Sequence, residues 1–271
     1  MGKIDDAMSK VEKEREKQNR PQPLTDFSAP DFPAELVVLG RPGSAVAEQF
    51  RFLRSKVVCP QDGRCFRTIV VASSLQGEGK TFTVGNLGVT ISQGMDEHVL
   101  LVDTDLRNSR LASMFGLAEG LPGLSDHLAE NTPLEELLQK TLIDKLTILP
   151  AGSLAGNPAE LLSSSRMKEF IQEVRDRYPD RYVIFDSPPV ELAPESPVIA
   201  NEADGTFLVV MRGVTPRGMA AASLERFNQE KFLGVIFNGW QNREKYYNKK
   251  KYGYGYGYGY GYGYQGMKNA E

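Results

Sequence analysis

Cysteine and histidine are almost missing from this chain, which has only Cys59 and Cys65, His98 and His127. Two thiols cannot build a disulfide framework or a thiolate-rich zinc site, so both read as reduced cysteines. The histidines are isolated in sequence and read as surface or packing residues. Long hydrophobic runs are missing too: none approaches the roughly 20 residues of a membrane span. The start, MGKIDDAMSK, has no apolar stretch of the signal-peptide kind, and Asp6 stands where a myristoylation signal has Ser or Thr. A cytosolic protein is therefore expected. A strong net charge is also lacking, at −3 for the whole chain. That near-neutrality hides an acidic body, with 26 basic and 33 acidic residues before Arg243, joined to a tail with six basic and two acidic ones. An acidic body does not offer the cationic face that general nucleic-acid binding needs. Tyrosine is scarce in the body, where only Tyr178 and Tyr182 occur, whereas the other nine of 11 lie between Tyr246 and Tyr264.

What is present is enough for a folded core: 271 residues, 41% hydrophobic, which excludes a wholly disordered chain. Residues 3–20 carry Ile4, Met8 and Val11 at helical spacing before a charge-dense stretch, predicting a short helix with a narrow apolar stripe. Pro21, Pro23, Pro30 and Pro33 then predict an extended linker. Residues 1–34 thus form an arm, 35–242 a folded domain, and 243–271 a low-complexity tail. In that tail Gly alternates with Tyr252, Tyr254, Tyr256, Tyr258, Tyr260, Tyr262 and Tyr264. Alternating Gly raises the entropy cost of ordering and predicts a flexible segment, with self-association through one tyrosine face as the rival reading.

Within the domain, TIVVAS (68–73), VLLVD (99–103), LTILP (146–150), RYVIFD (181–186), TFLVVM (206–211) and FLGVIFN (232–238) are continuous runs. Such runs are expected of strands buried on both faces. Helical patterns fill 80–93, 158–177 and 216–230, so the fold class is α/β, a mostly parallel sheet with helices on both faces. Ligands in such sheets bind beyond the carboxyl ends of the strands.

The first run leads into SLQGEGKTF, the strand-to-helix turn of a P-loop. Gln76, Gly77, Glu78, Gly79, Lys80, Thr81 and Phe82 are the candidate nucleotide-binding residues. Backbone amides there wrap a phosphate, the Lys80 cation reaches the β and γ phosphates, and the Thr81 hydroxyl can ligate Mg2+. Ser74 replaces the usual first glycine. Asp103 and Asp105 end one buried run and Asp186 another. Carboxylates at such positions are poor packing choices unless a cation compensates, and a Mg2+–nucleotide complex does so, although each taken alone also fits a helix cap.

The set GEGKT, VDTDLR and FDSPPV resembles the Walker A, A′ and B motifs of the bacterial tyrosine kinases, the autokinases of exopolysaccharide and capsule export, related in fold to the MinD and ParA ATPases. The resemblance runs over about residues 35–240, with GLSDHL, LPAGSLAGNPAELL and GVIFNGW, and the first residues look like those of the stand-alone, exosortase-associated subgroup. It implies a P-loop NTPase fold and a protein-tyrosine autokinase using ATP and Mg2+. Lys80, Asp103 and Asp105 are implied as catalytic, Asp103 taking the tyrosine proton, and Thr81, Asp105 and Asp186 as metal-holding. Arg107 is implied to orient phosphates or the incoming tail, and Asn238 to contact adenine. Glu48, Arg51 and Arg54 match a Glu-x-x-Arg-x-x-Arg pattern that mediates subunit contacts in a ring, although a solvated charged face has the same spacing. The tail tyrosines are the implied phosphoacceptors. Implied partners are other copies of the chain, a transmembrane adaptor of the polysaccharide co-polymerase kind that recruits it to the inner face of the membrane, and a cognate tyrosine phosphatase.

The chain departs from the family pattern at Glu195 and Ser196, where members show an Asp before a small residue, and at Gln76, where Pro is common. The signature Lys early in the P-loop of MinD and ParA relatives is missing, and no HRD or DFG segment marks a eukaryotic-type kinase. Two other functions compete with the kinase: a MinD-like ATP switch that never phosphorylates protein, and a tail acting as a membrane-surface anchor, marginal at about 1 kcal/mol per basic residue.

Overall fold

The structure is a computed structural model that describes residues 33–60, 63–64, 66–153, 156–177 and 181–239. The expected helix at 3–20, the proline linker up to residue 32, Cys65 and the tail tyrosines lie outside them.

Seven strands form one sheet in the order β3-β4-β2-β5-β1-β6-β7. They are β1 (Thr68–Ser73), β2 (His98–Asp103), β3 (Gln139–Lys140), β4 (Leu146–Leu149), β5 (Arg181–Asp186), β6 (Gly205–Met211) and β7 (Phe232–Asn238). All pairings are parallel except that of β3 with β4. The helices are α1 (Val37–Gly40), α2 (Ala45–Val58), α3 (Lys80–Ser92), α4 (Leu111–Met114), α5 (Leu124–Glu130), α6 (Leu134–Leu137), α7 (Pro158–Leu162), α8 (Ser165–Arg177), α9 (Glu195–Glu202) and α10 (Arg217–Glu225).

Successive residues of a strand point to opposite faces, which splits the core in two. Ile69, Val71, Leu101, Ile184 and Val209 pack with Phe50, Val84 and Leu87 from α2 and α3. Val70, Ala72, Val102, Phe185 and Leu208 pack on the other face with Leu124, Phe170 and Ile199 from α5, α8 and α9. Both faces are thus apolar, the reason these strands read as unbroken hydrophobic runs. Each buried Val, Leu, Ile or Phe contributes about 1.5–3 kcal/mol against the chain's conformational entropy.

The expected layout holds, with three corrections. The pattern over 158–177 is two helices and not one: Ser164 ends the first, its hydroxyl donating to the Leu161 carbonyl at 2.7 Å, and accepts from the Met167 amide at 3.2 Å as α8 begins. The pattern over 216–230 stops at Glu225, and Asn228 instead caps a 3-10 turn over Gln229–Lys231, accepting from the Glu230 amide at 3.0 Å. Finally, β7 is not buried on both faces. It is the sheet edge, where Val235 and Phe237 are about half exposed, at 48% and 51%.

Candidate active site

β1 lies inside the sheet, with β5 on one side and β6 on the other, and its C-terminal end opens into the P-loop. Gly77 and Gly79 both take positive φ, 81° and 94°, a region where L side chains are strained. At Gly79 a Cβ would also lie 2.1 Å from Asn238 Nδ2, so only glycine fits. No side chain caps the α3 N-terminus, which leaves its first amides available to an anion.

A cleft of about 370 Å3 lies over this turn. Of the expected residues, Gln76, Gly77, Gly79, Lys80, Thr81, Phe82 and Asp105 line it. Glu78 does not: its side chain is fully buried and bonds inward to the Leu75 amide, at 2.8 Å, and to the Thr215 hydroxyl. Phe82 is fixed edge-to-face on Phe50 of α2, with ring centroids 5.7 Å apart. Sequence reasoning missed Glu35, Asn108 and Arg110, which line the same cleft. Glu35 reaches it because the buried Asn86 of α3 donates to the Glu35 carbonyl at 2.8 Å and accepts from the Val38 amide at 3.1 Å.

The carboxylates converge through strand register. Asp103 and Asp186 end neighbouring parallel strands directly opposite each other, and the Thr104 amide donates to the Asp186 carbonyl at 2.9 Å. Thr81 donates its hydroxyl to Asp186 Oδ2 at 2.5 Å, joining the first turn of α3 to the end of β5. The other oxygen, Asp186 Oδ1, is buried without a partner among the described residues. Burial, and then the charge of Asp103, pushes the Asp186 carboxyl up to about 8, against the pull of Lys80 and Thr81. Burial also raises Asp103, opposed by hydrogen bonds from the Leu111 amide and the Ser109 hydroxyl. Burial raises Asp105 as well, with the Lys80 ammonium opposing it.

An orphaned carboxylate oxygen beside two further acids is a place for a cation. Among the described residues no group of three His, Cys, Asp or Glu forms a self-sufficient metal site. Mg2+ is bound through one or two carboxylates together with substrate phosphates, and the orphaned Asp186 oxygen fits such a role.

Three expected roles meet different surroundings. Asp103 is wholly buried, and both its oxygens accept from its own loop: the Asp105 amide at 3.1 Å, the Ser109 hydroxyl at 2.9 Å and the Leu111 amide at 3.1 Å. It faces the turn that carries Asp105, whereas Asp105 faces the cleft. Arg107 donates to the Leu192 carbonyl at 2.9 Å and pairs with the buried Glu195 at 3.2 Å. It thereby ties the loop after β2 to the loop after β5, and the arginine lining the cleft is Arg110. Glu195, at the departure from the family pattern, is thus part of the site's frame. Asn238 spends its Nδ2 on the Glu78 carbonyl at 2.9 Å. On α2, Glu48 and Arg51 are exposed and pair with each other, whereas Arg54 is partly buried and bonds to Glu97 at 3.1 Å.

Residues 66–198 match the family described as AAA domain. Tyrosine-protein kinase YwqD of Bacillus subtilis is 34% identical over 206 residues, 75% of this chain and 85% of that protein. The kinase domain of the Escherichia coli tyrosine kinase ETK superposes with a TM-score of 0.71 at 25% identity, over 90% of this chain and 91% of that one. The septum site-determining protein MinD of Pyrococcus horikoshii shares the fold at a TM-score of 0.52 and 24% identity, over 65% of this chain and 72% of its own. A P-loop with acids at two adjacent strand ends is common to many nucleotide-binding proteins, but the kinship with YwqD, at 34% identity, spans three quarters of this chain and 85% of that protein, and the chain belongs to the bacterial tyrosine kinases.

Proposed function

We propose that the chain is an ATP-dependent tyrosine autokinase that phosphorylates the tyrosine cluster of a neighbouring copy, from Tyr252 to Tyr264. The observation that carries the site assignment is the Thr81–Asp186 hydrogen bond, with its orphaned carboxylate oxygen, at the mouth of the P-loop. Thr81 and Asp186 would hold Mg2+, which neutralises phosphate charge when bound. Lys80 holds the β and γ phosphates, and the amides of residues 76–80 wrap them. Asp105, open to the cleft, takes the proton of the incoming tyrosine hydroxyl as its oxygen accepts the γ-phosphoryl group and ADP departs. Asp103 positions Asp105 through the hydrogen bonds of their shared turn. Phosphoryl transfer asks mainly for such positioning and charge compensation.

If it behaves as a Gly-rich linker, a segment of about 25 residues would span about 25–30 Å, which suits service to a second subunit. Glu48 and Arg51, exposed on α2, supply the ring contact, while Arg54 braces the helix against Glu97. Among the described residues no helix is long and apolar enough to cross a membrane. We place the kinase at the inner face of the membrane through a co-polymerase-type adaptor, regulating exopolysaccharide or capsule export, with a cognate phosphatase resetting the tail.

Incubation with γ-labelled ATP tests the reading. Label is expected on tail tyrosines and should fall about hundredfold or more in Lys80→Met. Free phosphate with unlabelled protein would instead make the chain an ATPase switch of the MinD kind.

A further inference from the structure

Glu78 is a carboxylate placed inside a loop whose amides are there to receive phosphate, and it is fully buried. Left unpaired, such a charge is costly and repels the ligand. Its Oε2 accepts from the Leu75 amide at 2.8 Å, inside the loop. Its Oε1 is bonded by the Thr215 hydroxyl, 137 residues away in the turn between β6 and α10. That hydroxyl has one proton to give. Its oxygen already accepts from the Met211 amide at 2.9 Å, so the proton is directed to Glu78. The loop is held at the same residue from the other side, where Asn238 at the end of β7 donates to the Glu78 carbonyl at 2.9 Å. Gly79 next to it admits no side chain on that side.

We infer that Thr215 is a positioning residue for the nucleotide: its hydroxyl keeps the Glu78 carboxylate turned away from the phosphates and holds the P-loop in its binding shape. The inference deepens the kinase reading and rests on it. Thr215 is not among the residues that line the P-loop cleft, so the effect expected of it is on ATP binding and not on the transfer step.

In the full chain, Thr215→Val keeps the shape and removes the donor. KM for ATP should rise about tenfold, the scale of a lost hydrogen bond to a charged group, with kcat and KM for a tyrosine peptide within about twofold of wild type. Thr215→Ser, which keeps the hydroxyl, should restore the wild-type KM. Thr215→Cys, a weak donor of similar size to Ser, should raise it, which keeps the test decisive if the valine variant does not fold. An unchanged KM for ATP in both the valine and cysteine variants overturns the inference, as does an equal loss in the serine variant, which would assign the effect to the methyl group's packing. Fluorescent ADP separates the two levels: if wild-type protein binds none, the nucleotide-site reading itself fails.

Discussion

At the scale of single residues the site is built from groups that folding alone would not choose. The carboxyl of Asp186, ordinarily titrating near 3.8, is pushed up to about 8 by burial and by Asp103. Between about pH 4 and pH 8 the unfolded chain has therefore released a proton that the folded one retains, and stability falls as pH rises through that window. Asp103 and Asp105 are shifted upward too and add to the same slope. Without nucleotide, Asp186→Asn should melt a few degrees above wild type at pH 8, the two curves converging near pH 4, while tyrosine phosphorylation drops about hundredfold. Thermal melts across that range check it; a wild-type melting temperature independent of pH would contradict it. The trade follows the general pattern in which a functional site costs stability.

At the scale of elements, capping and edges decide what hydrophobic periodicity cannot. Ser164 splits a long helical pattern because its hydroxyl serves both the end of α7 and the start of α8. Asp126 does comparable work at the N-terminus of α5. It accepts from the Gly123 amide at 2.7 Å and from the Ser153 amide and hydroxyl at 3.1 and 2.7 Å, tying the helix to the segment after β4. Burial opposes its ionisation, but these hydrogen bonds prevail and hold its carboxyl below the ordinary range. The stability it contributes is present above that ordinary range and is lost as pH falls through its lowered value. Asp126→Ala should cost about 1 kcal/mol, or about 2–4 °C in melting temperature at pH 7, with the difference shrinking in strong acid.

At the scale of the whole molecule, the proposed ring would link charge to oligomerisation. The segment from Arg243 onward is basic, with six Lys or Arg against two Asp or Glu, whereas the body is acidic. Each phosphotyrosine adds about −1.5 to −2 charges, so two or three of them cancel the basic excess and replace attraction to acidic neighbours by repulsion. Incubation with ATP should therefore lower the oligomer mass measured by light scattering, and the Lys80→Met protein should keep its mass. Equal masses before and after phosphorylation would contradict this link. Salt should weaken it, since exposed charges are screened over about 8–10 Å.

The α/β class, the P-loop and the two acidic strand ends were legible in the sequence because each is local. Strands buried on both faces must be continuously apolar, and a phosphate turn must be glycine-rich within a few residues of its strand. Partners separated by a long stretch of chain were not legible. Arg107 looked like a ligand of the site, yet only the packing of two loops gives it Glu195 and leaves Arg110 in the cleft. Nothing in the local sequence joins Thr215 or Asn238 to Glu78, 137 and 160 residues apart. The sequence by itself determined which chemistry is present at the strand ends. Tertiary structure decided which carboxylate faces the cleft and which side chains hold the loop, because a hydrogen bond is settled by angstrom-scale position, which strand register and loop packing alone provide.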